Sequence, residues 1–458
     1  MQRHLRFQRI GVCLLAGLLV AASPLAASGA GASERNSHRA VDELGSRKNL
    51  SNTPTDSSEP RVAVSGNHVY VVWLEHLGDT AARILFRVSH DGGKRFSGTR
   101  VLNPDGGTPR GVNLLAHESR VYVAWGDDAG DGGVRLRASL DHGSSFGPVR
   151  KLSETGNPSS PLLAASGNHV YVVWSRGTGD ESGDILFRAS HDQGKSFGPL
   201  LDLNEDDEIG SVDLAARGHN VYLVWDDGFV DDLPAVRFRR STDKGDTFEP
   251  IQRLSLIRSQ STHPRLAVRN DDVYLTWSEC EFPDPVQCEI LFRRSTNEGA
   301  TFEPPVNLSE NPGPSVEPEI AVEHDHLYVT WMDSTPGNFD IFFRKSDDRG
   351  RSFEPGLNLS DNPGTSFAPR ISAEDDFVRV VWQDATGSAP FPLVTEVLYR
   401  ASDDEGDSFS PTVNLSDNPG SSESPQLATC QDGERVHFVW LDDTPGQFDI
   451  FYRRGEAE

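Results

Sequence analysis

The chain has 458 residues, 36% of them hydrophobic, with 42 glycines and 29 prolines, which describes a turn-rich globular protein with enough apolar residues for a substantial core. A formal net charge of −26 makes nucleic acid and anionic membrane surfaces poor partners.

Residues 1–32 read as a signal peptide: Arg3, Arg6 and Arg9 precede the apolar run "IGVCLLAGLLVAASPLAA", and small residues "AGA" follow at 30–32. Its removal leaves 40 basic against 69 acidic residues, a net of −29, and a product expected to be secreted or periplasmic. No later run is apolar enough to span a bilayer. Residues 33–47 read as a polar tail, and 455–458 as a second one.

From residue 48 to 454 the chain repeats itself. A β-branched and aromatic pentapeptide recurs every 49 to 58 residues and ends at Trp73, Trp125, Trp174, Trp225, Trp277, Trp331, Trp382 and Trp440, all the tryptophans of the chain. Alternation of this kind marks a buried strand. Residues 317–360 show a whole unit: strand A "EIAV", strand B "LYVTW", strand C "DIFFRKS", a turn "SDDRGRSF" and strand D "GLNLS". Four short strands per repeat predict an all-β fold, a single eight-bladed propeller. The eighth unit stops after strand C, while "KNLSNTPTDSSEPRVAV" near the N-terminus matches "VNLSENPGPSVEPEIAV". Lys48 to Ser51 are therefore expected to supply the missing outer strand and leave no open sheet edge.

The turn S-x-[D/N]-x-G-x-x-F occurs seven times, with Asp91, Asp141, Asp192, Asp243, Asn297, Asp348 and Asp404 in its third position. Seven copies imply architecture: the side-chain oxygen accepts backbone N–H groups, glycine allows positive φ, and phenylalanine tucks under the blade. These turns resemble the Asp boxes, or BNR repeats, of sialidases and related propellers, over almost the whole chain after the signal. In that family the boxes lie opposite the active face, the blades usually number six, and catalysis uses a tyrosine nucleophile with a glutamate partner, an aspartate acid/base and three carboxylate-binding arginines. Here every tyrosine sits inside the repeat: Tyr70, Tyr122, Tyr171, Tyr222, Tyr274 and Tyr328 on strand B, Tyr399 and Tyr452 on strand C. The family's arginine-isoleucine-proline motif is absent, with "EPRVAV" at Arg61 the nearest match.

Asymmetry is the better guide to function. The residue after the proline position that opens strand A reads, in blade order, Arg61, Asn113, Leu162, Asp213, Arg265, Glu319, Arg370 and Gln426. Arg61, Arg265 and Arg370 can grip a carboxylate along one arc of the channel mouth, or can pair with Glu319 as an inter-blade ladder. By contrast, an arginine on strand C recurs once per blade, from Arg87 to Arg453, and reads as scaffold. The second residue after tryptophan is acidic in seven blades; Asp333, Asp384 and Asp442 among them are either salt-bridge partners of strand C or oxygens fit for Ca²⁺. "EHDH" at 323–326 carries metal-ligand letters in a strand A to B turn.

The longest strand B to C connections are in blade five, 13 steps from Trp277 to Ile290, and blade seven, 15 steps from Trp382 to Val397. They carry Phe282 and Phe391, which can stack on a sugar ring or pin their own loops. Cys280 and Cys288 bracket the first of these and are expected to form a local disulfide, leaving Cys430 odd.

Three readings follow. The first is a propeller that binds a carbohydrate or carboxylated ligand without catalysis or required cofactor. The second is a sialidase-type glycoside hydrolase with a rearranged catalytic set and Glu317 or Glu319 as acid. The third is a scaffold for protein partners.

Overall fold

The computed structural model describes residues 42–78, 81–127, 132–153, 160–176, 183–204, 209–227, 234–256, 259–281, 287–385 and 394–457. The signal and most of the tail, 1–41, lie outside them. Eight antiparallel sheets follow one another along the chain, each running A-B-C-D. Blade one, for example, comprises Ser57–Ser65, His68–His76, Ala82–Ser89 and Arg100–Val101. Each strand A contacts the A strands of both neighbouring blades, and blade one contacts blade eight in the same way, so the A strands form a closed ring. No helix among the described residues is long and apolar enough to cross a membrane.

The core lies between blades. Tyr70 and Phe86 of blade one pack with Val121, Val123 and Trp125 of blade two in one cluster, and the same layer recurs around the ring. Every tryptophan is at most 2% exposed. Strand B is buried on both faces because neighbouring blades cover it on both sides.

The repeated turn belongs to these seams. In blade two, Ser139 Oγ donates to Asp141 Oδ1 at 2.7 Å and accepts from Gly143 N at 2.9 Å, while Asp141 Oδ1 accepts from Ser145 N at 2.8 Å. Asn297 keeps the same acceptor, taking Thr301 N at 3.0 Å. Gly143 has φ 74°, and a Cβ there would lie 3.0 Å from Phe86 of the preceding blade. The turn phenylalanine is aimed the same way: Phe146 meets Phe86 edge-on with centroids 4.9 Å apart. Sequence reading put this ring beneath its own blade, whereas it staples each blade to the one before.

Strand C arginines are a second staple. Arg137 donates to the carbonyls of Gly147 (2.8 Å) in its own blade and Leu102 (3.2 Å) in the preceding one. Arg400 does likewise with Ser410 (2.6 Å) and Leu359 (3.1 Å). Backbone oxygens, rather than the acids after tryptophan, are their partners in these blades.

These turns predict acid sensitivity. In Asp192 the hydroxyl of Ser196 outweighs burial and, with the Ser196 and Ser190 bonds, holds the carboxyl down at about 2. In Asp141 and Asp348 burial acts upward but is exceeded by the hydrogen bonds of Ser145 and Ser352, again giving about 2. Asp91 and Asp243 are shifted down as well. A carboxyl with a depressed folded pKa stabilises fully above its unfolded value near 3.8 and loses that contribution as pH falls towards the folded value. The groups are largely solvated, so each supplies under about 1 kcal/mol. Thermal midpoints should hold from pH 7 to about 4.5 and decline between about 4 and 2. Asparagine at these five positions, as nature has it at 297, should flatten that decline; an unchanged curve would refute the assignment.

Blade eight is closed by both ends of the chain. Its strands Ser422–Thr429, Arg435–Asp442 and Asp449–Ala457 are completed by Lys48–Asn49, with Lys48 opposite Tyr452 and Asn49 opposite Phe451. Asn49 and Ser51 donate to Asp449 at 2.6 and 2.7 Å, and Leu50 is buried. The sheet passes both expected limits of the propeller, 48 and 454: Asp42–Leu44 pairs with Gly455–Ala457. Those residues belong to the fold rather than to tails. Blade eight has no repeated turn to cover blade seven, and Asp42–Leu44 lies there instead. Blade seven carries Arg379 where strand B has Tyr in blades one to six and His437 in blade eight; it donates to Asp42 from Nε (3.0 Å) and Nη2 (2.7 Å), and Tyr399 OH donates to the same carboxylate. Both members of the ion pair are fully buried.

Cys280 and Cys288 are disulfide-bonded across strands B and C of blade five. Cys430 is a buried free thiol, and burial pushes it up to about 11.

Candidate functional site

A β-bulge shapes the channel wall. In six blades the pairing of strands A and B skips before the residue following the proline position, as between Thr262 and Arg265 or Val316 and Glu319. The residue two earlier takes positive φ: Glu59 (52°), Gly111 (60°), His263 (54°), Glu317 (54°), Ala368 (52°) and Ser424 (54°). Proline is tolerated beside such a bulge because no ladder hydrogen bond is needed there. Bulge N–H groups reach the preceding blade, Glu317 N donating to Ser278 Oγ at 3.1 Å and His263 N to Asp226 Oδ2 at 3.2 Å. The bulge thus re-aims the next side chain and fixes it against its neighbour.

Along this wall the structure brings Arg265, Glu319 and Arg370 together. Glu319 Oε1 accepts from Arg265 Nε at 3.3 Å and from Arg370 Nη1 at 2.8 Å. Glu319 chiefly, against the cost of burial and with help from Asp213, raises the Arg265 pKa. Asp213 itself is raised by burial, which Arg265 and the N–H groups of Leu266 and Leu214 only partly offset.

Arg61 differs. Its Nη1 donates to the Pro60 carbonyl at 3.0 Å, as Arg265 and Arg370 do to Pro264 and Pro369, but among the described residues it has no carboxylate partner within ion-pair distance. Burial holds its pKa below the ordinary value; Glu59 acts upward and Arg370 downward. Two guanidiniums in blades one and seven therefore feel each other across blade eight, where the wall residue is the neutral Gln426.

Of the acids after tryptophan, Asp333, Asp384 and Asp442 are spent inside the protein. Asp333, at 0% exposure, accepts from the Trp331 indole (3.0 Å), Ser315 (2.9 Å) and Asn311. Asp384 and Asp442 repeat this with Trp382, Ser366, Asn362 and with Trp440, Ser422, Asn418. They brace strand ends and do not present free oxygens for Ca²⁺ at the mouth. A different group has metal-ligating letters: Glu323, His324 and Asp375 each bring a donor atom within 4.8 Å of the others, in two A–B turns. Glu323 is already gripped by Arg269 at 2.8 and 3.1 Å. Beside it, burial and then Glu323 and Asp375 push Glu374 up to about 7.

All eight tyrosines are buried, none more than 2% exposed. Tyr122 is pushed up to about 12, chiefly by burial. Glu317 is a bulge residue and Glu319 the hub of the arginine pair. Phe282 and Phe391 lie outside the described residues.

No protein-family model and no curated protein matches the sequence. Among solved structures, the polysaccharide lyase Uly1 superposes with a TM-score of 0.50 at 11% identity, over 75% of this chain and 89% of that one. An ulvan lyase of family PL25 gives 0.49 at 10% identity, over 90% and 94%. An α-L-arabinofuranosidase from Fusarium graminearum gives 0.37 at 11%, over 63% and 89%. The strand order makes this chain an eight-bladed propeller, and its likeness to Uly1 is one of fold.

Proposed function

We propose that this is an exported, sialidase-like propeller that binds a carboxylated carbohydrate at the channel wall without cleaving it. The observation that carries the reading is Arg61: a guanidinium in the wall with no carboxylate partner within ion-pair distance among the described residues, its pKa lowered in part by the charge of Arg370, whose own partner Glu319 is shared with Arg265. A uronate or other sugar carboxylate would neutralise Arg61 by paired hydrogen bonds and relieve its repulsion with Arg370. On a chain of net charge −26, such a positive spot is conspicuous. The buried disulfide supports an oxidising compartment. Burial of every phenol argues against a tyrosine nucleophile, and the engagement of Glu319 with two arginines against its use as an acid.

Titration with a set of neutral and uronate-containing oligosaccharides should give binding only in the acidic set. Arg61→Ala should weaken that binding at least tenfold while leaving the thermal midpoint within about 2 °C, since the group forms no ion pair. Arg265→Ala should instead lower the midpoint by freeing Glu319. Equal binding of neutral sugars, or full affinity in Arg61→Ala, would defeat the proposal.

A further inference from the structure

Histidine appears at the start of strand B in blades one, three and six: His68, His169 and His326. In the first two of these blades the second position of the repeated turn is also histidine, His90 and His191, and in the third it is Asp347. The two positions face each other across the strand B to C ladder, next to the pairs Val69 with Ser89 and Val170 with Ser190. His68 Nδ1 lies 2.8 Å from His90 Nδ1, and His169 Nδ1 lies 2.9 Å from His191 Nδ1. The rings are nearly perpendicular in both, at 80° and 72° with centroids 5.0 Å apart.

We propose that these two imidazole pairs are copper(II) sites, one in blade one and one in blade three, on the face of the A–B turns. Adjacent corners of a tetragonal ion bound at about 2.0 Å are about 2.8 Å apart, whereas a tetrahedral ion asks for about 3.3 Å. The separation is that of a hydrogen bond between the rings, and a tetragonal copper(II) or nickel(II) ion can take the proton's place at the same nitrogen spacing; among divalent ions of that row copper binds nitrogen most tightly.

Both pairs are held before any ion arrives. His90 and His191 sit inside turns locked by Ser89 and Asp91, and by Ser190 and Asp192. In blade one His142 stacks on His68 with centroids 4.1 Å apart, buttressing the ring. In blade three His191 Nε2 lies 3.0 Å from Asp246 Oδ1, which keeps a proton on Nε2 and leaves Nδ1 with its lone pair, as ligating histidines require. A metal ion takes the place of the proton shared between the two Nδ1 atoms, and that proton moves to Nε2 of the donor ring.

Copper(II) titration of the full chain, followed by electron paramagnetic resonance, tests this directly. The expected spectrum is tetragonal with nitrogen hyperfine structure from two imidazoles, and saturates at two tight equivalents. His90→Asn and His191→Asn, both at exposed positions, should each remove one equivalent, and the double variant both, with circular dichroism unchanged. Zinc should bind at least tenfold more weakly. A stoichiometry unaffected by either substitution, or an absence of tight copper, would overturn the proposal.

Discussion

Replacing Asp42 with alanine should destabilise the protein by about 3–5 kcal/mol, the usual cost of leaving a buried charge without its partner. Arg379 is fully buried, stacks on Phe377 at 4.7 Å, and donates both of its formed side-chain bonds to Asp42; Nη1 has no partner among the described residues. Tyr399, raised well above its ordinary range by burial and then by Asp42, loses its acceptor in the same stroke. Substituting Arg379→Tyr in the Asp42→Ala background restores the residue that strand B carries in six blades, and should recover most of the loss, because an apolar replacement of a buried pair is close to neutral. Denaturant unfolding of the single and double variants checks both statements. A silent Asp42→Ala would show that the segment is not docked as described.

The second large effect concerns closure. Removing the chain through Gly45 should cost about as much as Asp42→Ala, since the ion pair goes with it. Removing it through Ser51 should abolish cooperative unfolding altogether. The longer deletion strips the outer strand from Asp449–Ala457, empties the place of buried Leu50, and takes away both donors of Asp449, itself at 0% exposure. Far-UV circular dichroism during heating distinguishes the cases, and a synthetic peptide covering 42–53 should restore a sharp transition in the longer truncation. Equal stability of the two truncations would refute the role given to Lys48–Ser51.

Much of this was legible because it repeats. Eight tryptophan strands and seven turns announce blade number, strand order and the homologous outer strand at Lys48 without any coordinate. Asp42–Leu44 escaped for the opposite reason: it fills a niche that exists once, where blade eight lacks a turn, and so has no copy to compare. The wall arginines were found by counting from proline, but which of them shares Glu319 depends on side-chain reach across the bulges. Asp333, Asp384 and Asp442 looked like surface acids because the serines that cover them open strand A and the asparagines lie in the connection before it, 18 to 24 residues away in sequence. The histidine pairs did carry a signal, the joint appearance of histidine at both positions in blades one and three, which becomes meaningful only once the two positions are known to be opposite.

Closure by both termini also governs when the molecule can exist. Asn49 bonds Asp449 across 400 residues, so the last seam cannot form until residue 449 has been made. The search for that contact carries the entropy of the longest loop in the chain, and such long-range pairing slows folding. A nascent chain therefore stays open at one seam, with blade eight unfinished. Were the chain exported as proposed above, this late clasp would leave it open during its passage through a secretion pore.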